Sequence, residues 1–495
     1  MTISYLVKRA DPKRVAVAAS GLADVTYGNL AALLAATQHS LNEAGLGRGD
    51  RVAMVLPNGP HMAIAFVVVS ASVVAAPLNP AFREDEFRFY MEDLQAKALL
   101  VEKGSKSPAR LAAASLGIPE IEMAPDFSLH ATMQGTARLA GYVAHEEVAL
   151  VLHTSGTTSR PKIVPLTQGN LVASAASIAR TLYLSETDRC LNIMPLFHIH
   201  GLVAAVLATL SSGGSVYCTP GFNALKFFAE LEEAKPSWYT AVPTMHQIIL
   251  SRADRHAAAV RANPLRFIRS SSASLPVPVF SQLEQVFGCP VIEAYAMTEN
   301  AHQMTSNQLP PGKRKAGLVG CAAGPEVAIM DPDGKLLDLG EEGEIVTRGA
   351  NVTPGYENNP EANKAGFAHG WFHTGDQGFM DEDGYLKITG RLKEIINRGG
   401  EKIAPAEVDE VLLAHSAVFQ AVTFAMPHGK LGEDVAAAVV FREGHVATES
   451  ELREFVGIRL AAFKVPARIV IVEEIPKGAT GKLQRIGLAQ KLGLA

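Results

Sequence analysis

The chain has 495 residues, 48% hydrophobic and 19% charged, with a formal net charge of −5. This length exceeds one ordinary core and predicts two or more domains. The acidic balance lacks the basic face that a nucleic-acid binder needs, so a small-molecule partner is expected.

Between residues 14 and 79, short Val- and Ala-rich runs (15–19 and 51–56) alternate with helical patterns (27–44 and 59–74), and turn signals such as Gly47-Arg48-Gly49-Asp50 separate them. That alternation predicts an α/β fold with a largely parallel sheet. A further cycle follows, helix 84–94 and strand 98–101, whereas residues 104–145 are Ala-, Ser- and Pro-rich and carry no recognisable chemistry. The most apolar segment, residues 62–78, contains Ser70, Ser72 and Pro77 and stops short of the roughly 20 residues needed to cross a bilayer. It suits a helix sandwiched between layers, and no membrane insertion is expected. Residues 1–8 lack the apolar core of a signal peptide, and Lys491-Leu492-Gly493-Leu494-Ala495 is not the peroxisomal Ser-Lys-Leu address, so the cytoplasm is expected. The cysteines, Cys190, Cys218, Cys289 and Cys321, are widely spaced with no CxxC pair. They read as buried thiols in a reducing compartment rather than as disulfides or zinc ligands.

Residues 150–167 change character three times. After an apolar run come six consecutive hydroxyl or glycine residues, Thr154-Ser155-Gly156-Thr157-Thr158-Ser159, then Arg160-Pro161-Lys162. Such small side chains let backbone N–H groups and hydroxyls converge on one anion, with Arg160 and Lys162 supplying charge, which makes a phosphate cradle. It is not a Walker A loop, which would need Gly at Pro161 and Ser or Thr at Ile163; Gly478-Ala479-Thr480-Gly481-Lys482-Leu483 fails the same test. Thr167 reads as the N-cap of a helix with Leu171, Ala175, Ile178 and Leu182 at helical spacing. The helix N-terminus is expected close to the cradle, adding its partial positive charge.

A strand at 190–194 runs into Pro195-Leu196-Phe197-His198-Ile199-His200-Gly201. Two histidines two apart with no third ligand nearby favour a pocket-lining role over a metal site. Further strands are expected at 216–217 and 238–242. The segments Arg266-Phe267-Ile268-Arg269-Ser270-Ser271-Ser272-Ala273-Ser274-Leu275 and Val291-Ile292-Glu293-Ala294-Tyr295-Ala296-Met297-Thr298-Glu299-Asn300 both have the form found at the carboxyl ends of parallel strands, where open α/β sheets bind ligands. Past Pro310, Gly-rich short strands (317–319, 327–330, 343–347) predict a small β-barrel or antiparallel subdomain, ending near Thr374-Gly375-Asp376 and Gly390-Arg391. From Lys393 a unit of roughly 100 residues, an ordinary domain size, reads as α+β: helix 405–415, strands 418–425 and 435–441, helix 449–460 and strand 468–472. The predicted class is thus α/β: a large N-terminal domain, 1–392, of stacked αβ subdomains plus a small β-barrel, then a small C-terminal domain, 393–495.

Five motifs, in this order, carry a resemblance: Thr154 through Lys162, Tyr295-Ala296-Met297-Thr298-Glu299, Thr374-Gly375-Asp376, Gly390-Arg391-Leu392-Lys393-Glu394 and Pro476-Lys477-Gly478-Ala479-Thr480-Gly481-Lys482. Along essentially its whole length the chain resembles the adenylate-forming enzymes: acyl-CoA synthetases, adenylation domains of peptide synthetases and luciferases. The resemblance implies ATP, Mg²⁺ and coenzyme A, and a carboxylic acid that is first adenylated and then transferred to a thiol. It implies that Thr154, Ser155, Gly156, Thr157, Thr158 and Lys162 hold the β- and γ-phosphates, that Thr298 contacts the α-phosphate, that Glu299 binds Mg²⁺ and that Tyr295 stacks on adenine. Asp376 would take the ribose hydroxyls, with Arg391 nearby. Lys482 would bridge the attacking carboxylate and the α-phosphate. The C-terminal domain would be mobile, swinging about Lys393 to bring Arg398, Gly399, Gly400 and Lys402 to the site for CoA.

Within the family the likeness is closest to oxalyl-CoA synthetases (oxalate–CoA ligases), carried by the 270–275 and 293–299 segments, His302 and residues 396–403. Oxalate has no apolar surface, so its pocket is expected to be small and rich in donors. His198, Ser274 and His302 are the candidates, with Ala296, where the family usually has Gly, taking up room that a long tail would need. Asn300 and Gln303 are further candidates. Two readings stay open: an aryl- or fatty-acyl-CoA synthetase, and a catalytically inactive nucleotide-binding protein of the same fold, which would have no need of Lys482 and Glu299. Oligomeric state is not legible.

Overall fold

The computed structural model describes all residues except 155–160 and 478–482. Two large sheets organise the first two thirds of the chain. The first has seven strands in the order Leu129–Ala131, Glu120–Met123, Ala98–Glu102, Arg51–Val55, Val74–Pro77, Val148–Thr154, Lys162–Thr167. The second has nine: Cys321–Ala322, His302–Ser306, Val291–Met297, Phe267–Ser271, Trp238–Ala241, Arg189–Asn192, Ser215–Cys218, Val15–Ala18, Val25–Thr26. Both are parallel in the middle and antiparallel at their edges.

The main core lies between these sheets. Met54 of one and Phe267 of the other share it with the helices Pro60–Ser70 and Gln168–Thr181 and the π-helix His200–Leu207. The apolar segment at 62–78 is therefore the expected sandwiched helix, although it stops at Ser70 and returns as the strand Val74–Pro77. Every residue from Met62 to Ser70 is buried, and among the described residues no helix is long and apolar enough to cross a membrane.

One expectation about the phosphate cradle fails. Thr167 is indeed an N-cap, in a reciprocal capping box with Asn170, but Lys162–Thr167 is a strand paired antiparallel to Val148–Thr154. The apolar Ile163 and Val164 fill ladder positions, and Pro165 is tolerated because this is an edge strand. The strand separates Lys162 and its partner Thr154 from the helix by its full length, so the helix terminus lies beside Val148; residues 155–160 lie outside the described residues.

The small β unit, Glu326–Met330, Gly343–Arg348, Phe372–Met380 and Leu386–Arg391, is a four-stranded antiparallel sheet, the antiparallel subdomain of the two forms expected. Its last strand meets Val319 and Gly320 through two backbone bonds at Leu386 (2.8 and 2.9 Å).

The C-terminal region pairs Ile396–Arg398, Glu401–Ile403, Val418–His428, Gly432–Phe441 and Arg468–Ile471 in one sheet. Helices Pro405–Leu413 and Glu449–Gly457 pack into one of its two cores and Leu488–Lys491 into the other. Among the described residues its contacts with the rest of the molecule include Lys387 Nζ to Glu410 (3.3 Å) and Gln247 Nε2 donating to the Phe419 carbonyl (3.3 Å).

Glu293, on the strand that leads to the candidate site, is 3% exposed. Burial pushes its carboxyl up to about 8, against the pull of the Gly317 N–H that donates to it. The native state therefore keeps a proton that the unfolded chain releases near pH 4.5, and stability falls as pH rises between these values. The melting temperature of wild type should fall more steeply from pH 5 to 8.5 than that of Glu293→Gln; parallel pH profiles would contradict this.

Candidate functional site

The strand Val291–Met297 ends beside three groups of polar side chains. Alternation sends Glu293 and Tyr295 to one face, and the 3-10 turn Thr298–Asn300 then delivers Glu299.

The first group centres on Asp376. Its Oδ2 accepts from the Tyr295 hydroxyl and its Oδ1 from Arg391 Nε at 2.8 Å. Its N–H donates to the Thr374 hydroxyl, which in turn donates to the Ile345 carbonyl. Burial and the neighbouring Asp376 raise the Tyr295 phenol, while for Arg391 the attraction of Asp376 outweighs burial and holds the guanidinium charged. The Tyr295 ring is 8% exposed and packs with Met304, Val319 and Leu386.

The second group joins the two large sheets. The Tyr356 hydroxyl donates to Glu299 Oε1 (2.8 Å), and Lys162 Nζ lies 4.2 Å from the Tyr356 ring centroid. Burial lowers the Lys162 ammonium's pKa, with Glu299 opposing this and Lys393 adding to it, so two lysines and one carboxylate share the same space. Thr154 pairs with Lys162 across the hairpin, and Thr298 is half-buried at the start of its turn. Ser155, Gly156, Thr157 and Thr158 lie outside the described residues.

Tyr356 belongs to a strap that sequence reading passed over. Asn170 Nδ2 donates to the carbonyls of Ala350 and Val352, Asn351 Nδ2 to those of Asn300 and Gln303, and the Thr353 N–H to that of Glu299. The Thr353 hydroxyl and the Glu357 N–H reach the carbonyls of Pro165 and Ile163. The strap thus fixes the Glu299 turn against the strand that carries Lys162. The one sequence signal was an aromatic in a turn, Pro354-Gly355-Tyr356, within a region read only as short strands.

The third group is a set of buried polar residues. His200 is fully buried; Nδ1 lies 3.0 Å from the Ser272 hydroxyl, Nε2 lies 2.6 Å from Thr240 Oγ1, and its ring lies 4.9 Å from that of His302, tilted by 56°. His200 opens the π-helix, and Gly201 follows it because a Cβ there would meet the Pro195 carbonyl at 2.4 Å. His302 is also fully buried, with φ +103 next to Ala301 at φ +45, a strained pair that Asn351 clamps. Of the expected residues, His198 is half-buried and its Nδ1 accepts from the His200 N–H (3.3 Å), Ala296 is half-buried opposite Gln303, and Ser274 is exposed. The serine that meets a histidine is Ser272, not Ser274, because its φ of +75 turns the chain before Ser274 is reached. Sequence reading also named His198 where His200 makes the contact with His302; two histidines two apart could not be told apart without the helix.

In the C-terminal region, Lys393 sits exposed in the turn where the N–H groups of Glu394 and Ile395 return to the Arg391 carbonyl. Arg398 pairs with Asp434 at 2.6 Å, and Lys402 is exposed. Gly399 and Gly400 form the two-residue turn between Arg398 and Glu401, with φ +60 and +104. Two positive φ angles are what a primed hairpin turn requires, so the turn itself accounts for both glycines. Lys482 lies outside the described residues, but Leu483 bridges to Lys477 and the Gln484 N–H donates to Pro476. Arg485 then anchors this stem, its Nε on Glu394 (3.1 Å), its Nη2 on Asp409 (2.9 Å) and its Nη1 on the Thr423 carbonyl.

Comparison with known proteins agrees with this layout. Residues 7–357 match the family model of AMP-binding enzymes and residues 407–482 that of the AMP-binding enzyme C-terminal domain. The chain is 46% identical to an oxalate–CoA ligase of Arabidopsis thaliana, covering 98% of this chain and 96% of that protein. It is 41% identical to an oxalate–CoA ligase of Saccharomyces cerevisiae, covering 90% and 87%. The ATP-bound crystal structure of MatB from Rhodopseudomonas palustris superposes with a TM-score of 0.89 at 28% identity, covering 99% of both chains. The chain belongs to the AMP-binding enzyme family, as an acid–thiol ligase that uses ATP, Mg²⁺ and coenzyme A.

Proposed function

We propose that this enzyme converts oxalate to oxalyl-CoA, by way of an oxalyl-adenylate. The observation that carries the reading is the polar set formed by the buried His200, His302 and Thr240 and the half-buried Ser272, where an aryl or fatty acid would need apolar walls. The likeness to two oxalate–CoA ligases supports it. The retained Glu299 and Lys482 speak against an inactive nucleotide binder.

In the first half-reaction a carboxylate oxygen attacks the α-phosphorus of ATP and pyrophosphate leaves. In the second, the CoA sulfur attacks the acyl carbon, AMP leaves with the bonding pair, and the thiol proton is lost. On this reading Thr154 to Lys162 cradles the outer phosphates, with Lys393 adding charge beside Lys162. Tyr295 faces the adenine, and Asp376, held by Arg391, meets the ribose. Glu299 is a lone buried carboxylate, with no cluster of three or more acidic, His or Cys groups around it among the described residues. That donor set fits Mg²⁺, which takes one or two carboxylates and completes its shell with phosphates and water. When bound, the ion offsets phosphate charge; Tyr356 orients the carboxylate that would hold it. Lys482 supplies a cation between two mutually repelling oxyanions.

We further propose that residues 393–495 move as a unit between the half-reactions, with Lys393 at the pivot and Arg398, Gly399, Gly400 and Lys402 turned toward CoA. Arg485 supports this, since it joins the stem of the Lys482 segment to Glu394 beside the pivot. Four free cysteines, three of them buried, fit a reducing cytoplasm.

The direct test is pyrophosphate release and thioester formation across oxalate, cinnamate and medium-chain fatty acids, with and without CoA. Oxalate should dominate; robust turnover of the others with oxalate inert would leave only the general ligase. Lys482→Ala should slow adenylation by roughly 10³-fold or more while ATP still binds and a supplied oxalyl-adenylate still reacts with CoA. Near-normal pyrophosphate release would refute the assigned role. Tyr356→Phe removes a charge-assisted bond of about 1.5–3 kcal/mol, so adenylation should slow by roughly 10- to 150-fold, with a higher Mg²⁺ requirement. An unchanged Mg²⁺ dependence would separate Tyr356 from the metal site.

A further inference from the structure

Behind the acyl group of residues lies a charge that no role described above employs. Arg269 is fully buried in the middle of the strand Phe267–Ser271. Its Nη2 donates to Gln303 Oε1 at 3.3 Å, whereas Nε and Nη1 have no hydrogen-bond partner, and no carboxylate pairs with it among the described residues. The neighbouring Cys190 thiol offers no counter-charge, since burial holds it protonated. Burial also brings the guanidinium down to about 9, which leaves it a cation at neutral pH. An unpaired buried cation is costly, and a chain that keeps one gains something by it.

The register says where the charge points. Arg269 is the parallel-ladder partner of Thr240, so their side chains share one face of the sheet. Thr240 is the residue that meets His200 Nε2, and the His200 ring lies against that of His302. Gln303, the acceptor for Arg269, follows His302 directly. Arg269, Thr240, His200, His302 and Gln303 therefore form one chain of neighbouring buried polar residues.

We propose that Arg269 is a specificity-determining residue at the floor of the acyl site, where its guanidinium selects acids bearing a second carboxylate and closes the site to longer chains. The role rests on the acid–CoA ligase reading and sharpens it: the substrate's distal carboxylate is the counter-charge that Arg269 lacks, reached directly or through one water, with His200 and Ser272 nearer the reacting carboxyl. A long acyl chain would have to run along the face that Arg269 and Gln303 fill, which would bury methylene groups against a charge.

The test compares wild type with Arg269→Met, a change of similar volume that removes a buried charge and is expected to fold. Thioester formation is followed with two pairs of acids that differ in distal charge, oxalate against glycolate and malonate against 3-hydroxypropionate. Wild type should prefer the dianion of each pair. Arg269→Met should lower kcat/KM for the preferred dianion by about 10- to 150-fold, as loss of a charge-assisted contact predicts, and leave its monoanionic partner within about threefold. Equal losses for both members of a pair would show a purely structural residue and overturn the proposal. If wild type favours malonate over oxalate, the oxalate reading falls while Arg269 is judged on the malonate pair; if wild type favours monoanions, both fall. Should Arg269→Met fail to fold, Arg269→Lys decides: a retained dianion preference supports the role, and its complete loss overturns it.

Discussion

The carboxylate of Asp376 is shared by two donors from opposite directions, the Tyr295 hydroxyl and the Arg391 guanidinium. The first lies at the end of a parallel strand of the nine-stranded sheet, the second at the end of the small antiparallel sheet, and two residues beyond Arg391 the chain reaches Lys393. One buried acid thus ties Tyr295 to the strand that leads to the proposed pivot. Loss of that carboxylate would leave a buried phenol and a half-buried guanidinium without their shared partner, so the site and the small sheet stand or fall together.

The strap at residues 349–357 does the corresponding work around Glu299 and Lys162. Its bonds to the Glu299 turn on one side and to Pro165 and Ile163 on the other place a carboxylate from one sheet and a lysine from the other around the Tyr356 ring. The same strap clamps the strained pair Ala301 and His302, so the Glu299–Lys162 group and the histidine group are held by neighbouring bonds of a single segment. Among the described residues the C-terminal region meets the rest through contacts that include Lys387 with Glu410 and Gln247 with Phe419, whereas Arg485 binds its own Glu394 and Asp409. Such an arrangement suits a unit that moves whole.

Much of this was legible in the residues alone. Helices 27–44 and 84–94 and the core strands follow from apolar spacing and turn chemistry, because burial on one or both faces dictates them. What escaped depends on contacts distant in sequence. Lys162–Thr167 reads as the tail of a loop until its partner strand is known, and Pro165 hides it further. Val319 and Gly320 look like a strand of the small unit but serve as its edge cover. Ser274 and Ser272 are equivalent by composition, and only the positive φ at Ser272 separates them. Gly399 and Gly400 resemble a close-approach site for a ligand, yet a two-residue hairpin demands both. Tyr356 and Arg269 gave no periodic or motif signal, since each matters through one long-range partner.

The central claim is that the acyl end is a closed, polar, positively biased space for a very short acid. A crystal structure with a non-hydrolysable oxalyl-adenylate analogue tests it most directly. The distal carboxylate should point past His200 and Ser272 toward Arg269, with the adenine beside Tyr295 and the ribose on Asp376. A distal carboxylate turned toward solvent, away from the histidines, or an apolar channel opening past Arg269 would contradict it.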